Sequence, residues 1–320
     1  MSMMTFRDAI SRALEEALNE NEDMVIIGDN MSKGGKSLAV KNLDIKENNN
    51  IIDFPPNAST ICEIALGMAN MGDCVVAEID GDKLSSCTSV FSQEIAPIVE
   101  LYDGKIPMNL VVRADIGRTM NNAPTRNIAF EASFQFDGLT VLYPSSASSA
   151  YALLKEAIKL EKPVLFLEDK NLYDTQEESS DETTTEIGKA NIIKEGTDVS
   201  VIAYGSAVNL AREAVQKATE NGVSAELIDL LTICPLDFET IINSVAKTGR
   251  AVIVQDANTL ASISSEISAL ISESEAFDYL ESPILRVGQK KAQLPYSMQG
   301  FNEVVLSADD IYEGIMQSIG

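Results

Sequence analysis

Residues 51–72 read IIDFPPNASTICEIALGMANMG, a strand, a corner and a helix in quick succession. Ile51 and Ile52 predict the strand and Pro55 with Pro56 the corner. Asn57 opens the helix, because its side-chain oxygen can accept from an unpaired N–H of the first turn. Ile61, Ala65 and Met68 then recur at helical spacing, with Ile64 and Gly67 beside them. Ala65 and Gly67 are small enough to let another backbone come close. This is packing chemistry, and by itself it names no function.

The same alternation extends in both directions. Upstream, Thr5 caps a helix to about Asn19 with Phe6, Ile10, Ala13 and Leu14 as its apolar stripe, and a strand over 24–27 ends at Gly28 and Asp29. Downstream the sequence predicts a strand over 74–77 and one long helix over 82–102, kinked at Pro97 and closed by Asp103 and Gly104. A near-continuous apolar strand of the kind parallel sheets use covers 108–113, and a polar loop covers 114–127. A strand over 139–143 leads through Pro144, Ser145 and Ser146 to a helix ending near Leu160, and another strand covers 163–167. Residues 174–186 turn acidic and Thr/Ser-rich, as an exposed linker would. A second alternating block follows, with strands over 199–204, 225–229, 251–254 and 284–287, helices over 207–220, 237–247 and 263–272, and a last helix from Ser307. The fold expected is α/β in two domains, each a mostly parallel sheet flanked by helices: 1–173, an acidic linker over 174–190, and 191–320.

Composition narrows the chemistry. A chain of 320 residues can bury a sizeable core in about two domains. No apolar run approaches the roughly 20 residues of a membrane span, and Arg7 and Asp8 fall where a secretory signal should be apolar. The net charge of −25 leaves nothing to neutralise phosphates, so nucleic acid is excluded as a partner. The sequence contains no histidine, which removes Ser-His and Cys-His pairs, histidine bases and nearly all zinc sites. The cysteines Cys62, Cys74, Cys87 and Cys234 form no C-x-x-C pair and fit reduced thiols in a cytoplasmic protein. Residues 30–38, NMSKGGKSL, invite a phosphate-loop reading, but Asn30 sits where that motif needs its first glycine.

Residues 51–72 resemble the cofactor-facing helix in the β subunits of thiamine-diphosphate-dependent 2-oxo acid dehydrogenases of the pyruvate, branched-chain and acetoin types. The resemblance continues through GGKSLAV at 34–40 and is strongest in EGTDVSVIAYG at 195–205, ELIDLLTICPLDFETIINSVAKTGRAVIV at 226–254 and EAFDYLESPILRVG at 275–288. It implies a pyrimidine-binding-like domain followed by a transketolase C-terminal-like domain. It also implies site positions. The family glutamate that touches the cofactor's aminopyrimidine falls on Ala58, and the family histidine that handles substrate falls on Thr125. Glu63, roughly 140° further round a helix of 3.6 residues per turn, cannot stand in for the glutamate.

The family's aromatic wall becomes AEIDGD at 77–82, with Glu78 and Asp80 in place of rings and Asp82 retained. Asp29, Asp82 and Tyr102 are the implied cofactor-binding residues, and a second tyrosine position falls on Glu100. The family's glycine-rich turn becomes Ala261, Ser262, Ile263 and Ser264. The potassium loop of the family becomes AIKLEKP at 157–163, where the carbonyls of Ala157 and Ile158 remain as implied ligands. The acidic residues of 78–82 read as a solvated loop or, alternatively, as a magnesium or calcium site.

The expected function is a β-subunit-like component of a pyruvate-type 2-oxo acid dehydrogenase complex. Oxidative decarboxylation with thiamine diphosphate would then require an α-type partner to supply the missing groups and the magnesium-bound diphosphate. The alternatives are an inactive relative serving as scaffold or assembly partner, with no cofactor, and a binding module for a small ligand. Expected partners are an α-type subunit or a second copy of the chain, and the acyltransferase core of such a complex. Carbon dioxide release separates the first reading from the others.

Overall fold

Thr5 and Asp8 close the start of the first helix reciprocally. The Thr5 hydroxyl accepts from the Asp8 N–H at 3.0 Å, and the Asp8 carboxylate accepts from the Thr5 N–H at 3.3 Å. That capping box joins strand β1 (Met3–Thr5) to helix α1 (Phe6–Glu20), whose buried face is Phe6, Ala9, Ile10, Ala13, Leu14 and Ala17. The computed structural model describes residues 3–41, 43, 50–118, 130–178 and 185–320. They divide into two units: Met1–Ile116 with Ser133–Ile187, and Gly117–Ala132 with Gly188–Gly320.

In the first unit, β2 (Met24–Gly28) and β3 (Ile51–Asp53) pair in parallel, and α2 (Ala58–Asn70) follows the proline corner. Asn57 caps α2 as expected, its Oδ1 accepting from the Thr60 N–H at 3.1 Å. The buried face of α2 is Ala58, Ile61, Cys62, Ala65, Leu66 and Ala69. Gly67 does not serve close packing within the chain: it is exposed, and a Cβ there would meet no described atom within 4 Å. Strands β4 (Cys74–Ile79) and β5 (Leu110–Ile116) are buried along their whole lengths, which accounts for the apolar runs with which they begin.

The single long helix expected over 82–102 is instead a series of short turns. A 3₁₀ stretch (Gly81–Cys87) leads to α3 (Thr88–Val90), a π-turn (Phe91–Ile95) and, past Pro97, α4 (Ile98–Leu101). Pro97 has no N–H to continue the ladder. Ser86, Thr88 and Ser92 each turn a hydroxyl back onto a carbonyl three residues earlier, competing with regular helix geometry.

The unit is completed by β6 (Thr140–Leu142), α5 (Ala147–Lys159) with its Ser146 cap, β7 (Val164–Asp169) and β8 (Gln176–Glu178). Its parallel strands run in the order β6-β7-β5-β4-β2-β3. The acidic stretch begins as structure, because β8 pairs antiparallel with β1.

The second unit has a sheet in the order β14-β13-β10-β11-β9, parallel except where β9 (Asn191–Lys194) runs against β11 (Ala225–Asp229). Its other strands are β10 (Val199–Ala203), β13 (Ala251–Asn258) and β14 (Leu285–Gln289), with a short β12 at Thr232–Cys234. Helices α6 (Ala207–Glu220), α7 (Phe238–Thr248), α8 (Ile263–Glu273), α9 (Met298–Val304) and α10 (Ala308–Ile319) complete it. Val201, Val252 and Val254 pack against Val208 and Val215 of α6 and Ile311 and Ile315 of α10. Two α/β units with mostly parallel sheets are therefore present, as the sequence predicts. Among the described residues no helix is long and apolar enough to cross a membrane.

The Asn57 cap gives a direct test of the stretch that organises the first unit. Asn57→Ala should destabilise the protein by about 0.5–2 kcal/mol, read as a lower urea midpoint with an unchanged slope.

Candidate functional site

Charged residues interrupt the apolar runs of three neighbouring parallel strands: Glu78 in β4, Arg113 and Asp115 in β5, and Glu168 in β7. Register sets Glu78 beside Arg113 and Asp115 beside Glu168. They lie toward the carboxyl ends of the strands, the edge where parallel α/β sheets place ligands.

Arg113 is completely buried and bridges two carboxylates. Its Nη1 lies 2.9 Å from Glu78 Oε2, while Nε and Nη2 grip Glu168 at 2.6 and 3.0 Å in the bidentate geometry a guanidinium favours. The remaining lone pairs are filled. Ser37 donates its N–H and hydroxyl to Glu78 at 2.9 and 2.8 Å, and the Tyr173 hydroxyl donates to Glu168 at 2.8 Å. The loop carrying Ser37 reaches Glu78 only because residue 35 is glycine. Its φ is +74°, and a Cβ there would lie 2.6 Å from Glu78 Oε1. Burial raises the Glu168 pKa above the usual carboxylate value, with the Arg113 charge opposing that rise.

A second, wetter network covers the strand ends. Lys36 Nζ pairs with Asp80 at 3.0 Å, and Lys170 Nζ lies 2.9 Å from Asp82 and 3.6 Å from Asp115. The Gly81 N–H donates to Asp115 at 2.8 Å. Residue 81 must be glycine, since a Cβ would stand 2.1 Å from the Asp115 carbonyl oxygen. Burial works against the Asp80 carboxylate, but the Lys36 hydrogen bond and charge outweigh it and hold its pKa low. At Asp115 burial prevails and pushes the pKa up to about 7, against the pull of Lys170 and the Gly81 N–H.

These contacts correct two expectations. Glu78 is not a charge on the wall of an emptied ring site; it is buried and turned inward onto Arg113 and Ser37. The carboxylates of 78–82 do not form a cation site, because Arg113 and the ammonium groups of Lys36 and Lys170 already face them. Among the described residues no group of three or more His, Cys, Asp or Glu side chains is placed to hold a metal.

The other positions singled out from the sequence are dispersed. Ala58 is the first residue of α2 and nearly buried. Asp29 follows β2 and accepts from the Asn30 side chain at 2.8 Å. Asp82 belongs to the lysine network, whereas Tyr102 ends α4 half-exposed. Glu63 is exposed on α2. The Ala157 carbonyl accepts from the Leu160 N–H at 3.2 Å, and the Ile158 carbonyl from the Cys74 thiol at 3.8 Å. Thr125 lies outside the described residues. In the second unit, Arg118 pairs with Asp256 at 3.0 Å, and the Tyr204 hydroxyl donates to buried Glu131 at 3.3 Å.

Arg113 and Glu168 were not singled out from the sequence. Their signal was a charge inside an apolar strand, in LVVRADI and VLFLED.

Comparison with known proteins agrees with this fold. Residues 2–176 match the transketolase pyrimidine-binding domain and residues 188–311 the transketolase C-terminal domain. The pyruvate dehydrogenase E1 component subunit beta of Bacillus subtilis is 35% identical over 305 residues, 93% of each chain. The 2-oxoisovalerate dehydrogenase subunit beta of the same organism is 34% identical over 304 residues, again 93% of each. A solved split-gene transketolase, an inactive beta4 tetramer, superposes with a TM-score of 0.82 at 20% identity, covering 99% of this chain and 98% of that one. That structural likeness carries the fold alone.

Two outcomes test the site. Arg113→Leu leaves Glu78 and Glu168 buried without their cation and should cost roughly 3–5 kcal/mol in denaturant unfolding, less at acid pH where the carboxyls take up protons. Asp115 should make stability fall with rising pH. Between an ordinary unfolded value of about 4 and the folded value of about 7, the native state holds a proton that the unfolded state has released. Wild type should therefore lose stability relative to Asp115→Asn as pH rises from about 4 to about 7, and the difference should flatten above that range.

Proposed function

The chain belongs to the family of 2-oxo acid dehydrogenase β subunits, built from a transketolase pyrimidine-binding domain and a transketolase C-terminal domain, and from that premise we propose that it is the β-type framework subunit of a 2-oxo acid dehydrogenase assembly. In this reading it supplies the fold and the pyrimidine-side surface but not the acid. An α-type partner provides whatever catalytic groups the assembly has.

The observation that carries this reading is Ala58. The residues present do not fit the acid that thiamine diphosphate needs at its pyrimidine. The position that the family fills with a glutamate offers a methyl group at the start of α2. The carboxylates at the strand ends are no substitute, since Glu78 and Glu168 are committed to Arg113 and Asp80 and Asp82 to lysines. No step of decarboxylation is therefore assigned to this chain. What its residues do is hold strand ends and loops in register: Arg113 ties β4 to β7 across β5, and Lys170 ties Asp82 to Asp115.

A second reading, an assembly partner without catalysis, is favoured by the same methyl group. The two part on one measurement: carbon dioxide release from pyruvate and from branched 2-oxo acids, with thiamine diphosphate, magnesium and an artificial electron acceptor. The chain alone should neither bind thiamine diphosphate by calorimetry nor release carbon dioxide. With an α-type subunit, Ala58→Glu should raise any turnover by about 10²-fold or more. Turnover with the partner before that substitution supports the framework subunit, and silence supports the assembly partner. Micromolar cofactor binding by the chain alone would overturn both, and a measurable rate indifferent to Ala58→Glu would overturn the framework reading.

A further inference from the structure

Four cysteines are spread over the sequence, and the fold brings two of them together. Cys62 lies on the buried face of α2, and Cys87 ends the 3₁₀ stretch Gly81–Cys87 that packs against it. Both are fully buried. Hydrogen bonding between the two thiols lowers the Cys87 pKa and raises that of Cys62, and the Cys87 thiol also points at the Lys83 carbonyl at 3.8 Å. The segments are pinned at that point by Ser59, one turn before Cys62. Its hydroxyl donates to the Ser86 carbonyl at 2.9 Å and reaches Cys87 Sγ at 4.0 Å. Ser86 adds a second hydroxyl 3.9 Å from Cys87 Sγ. Cys74 has no such company: burial raises its thiol, which points at the Ile158 carbonyl.

We propose that Cys62 and Cys87 form a peroxide-sensitive thiol pair that closes to an intramolecular disulfide, stapling α2 to the segment that carries Asp82. The inference is independent of the function proposed above. Cys87, after losing its proton, attacks one oxygen of a hydroperoxide. A sulfur–oxygen bond forms, the oxygen–oxygen bond breaks, and the other oxygen leaves with a proton as water or an alcohol. The Cys62 sulfur then attacks the resulting sulfenic sulfur. The sulfur–sulfur bond forms, hydroxide departs, and it takes the Cys62 proton as water. Two thiols are oxidised by two electrons in all, and one peroxide is reduced.

Access comes from the 3₁₀ stretch. Its length of seven residues exceeds the three or four that such geometry sustains well, and Ser85 and Ser86 beside Cys87 are exposed. Local opening there admits a molecule as small as hydrogen peroxide without unfolding the sheet. The consequence is mechanical. α2 opens at Ala58 and the 3₁₀ stretch contains Asp82, so the staple would fix two elements of the strand-end site against each other.

The test uses the full chain, reduced, then treated with hydrogen peroxide at a few equivalents. Thiol titration in denaturant should show two of the four thiols lost, and peptide mapping without reductant should show a linkage two hydrogens lighter than the free peptides. Cys62→Ala and Cys87→Ala should each abolish the linkage, while Cys74→Ala leaves it intact. The intact wild-type protein carries the decisive measurement, so a poorly folding variant does not blunt the test. A linkage through Cys74 or Cys234, loss of a single thiol to sulfinic acid, or four thiols surviving would overturn the proposal.

Discussion

Arg113 has no water to fall back on. A guanidinium taken wholly out of solvent must find its entire hydration inside the protein, and here Glu78, Glu168 and Ser37 provide it from elements that share no local sequence. The geometry of the first unit follows from that demand. β4 and β7 must flank β5 at the right register, the loop of residues 34–37 must fold over Glu78, and Tyr173 must turn its hydroxyl onto Glu168. Arg7 adds a further tie, lying over the Tyr173 ring at 5.1 Å and donating to the Ser37 carbonyl at 2.9 Å. A buried ionic cluster of this kind contributes little net stability beside a well-packed apolar core, but it tolerates few alternative registers.

The strand ends carry two electrostatic regimes only a few residues apart. Beneath, the arginine and its carboxylates are dry and mutually satisfied. Above, Lys36 and Lys170 neutralise Asp80 and Asp82 with side chains that still reach solvent. The contrast separates a dry, structural layer from a layer of charge open to solvent at the same strand ends. Its carboxylates are numerous: Glu78, Glu168, Asp80 and Asp82 are paired with cations of the chain, and Asp169 accepts from the Tyr143 hydroxyl at 3.0 Å and the Asn171 N–H at 2.9 Å.

The second unit manages its buried polar groups in the same spirit. Glu226, fully buried on β11, is met by the Ser244 hydroxyl and by Lys247 from α7, and Ser244 in turn meets Ser200 of β10. Neither unit leaves its central carboxylates to solvent.

What the sequence by itself determined was local and periodic. The caps at Thr5, Asn57 and Ser146 were legible because a hydroxyl or amide three residues before a helical N–H is a short-range event. The parallel strands were legible because burial on both faces writes a continuous apolar run. The irregular turns of 81–101 were not, since Pro97 and the serine hydroxyls broke a helix whose apolar spacing was intact. The pairing of Glu78 with Arg113 and Glu168, and the meeting of Cys62 with Cys87, were decided only in three dimensions. Partners that lie 35 and 55 residues apart along the chain leave no local trace. A charge inside an apolar strand announces that it must be satisfied, but only the register of neighbouring strands decides by what.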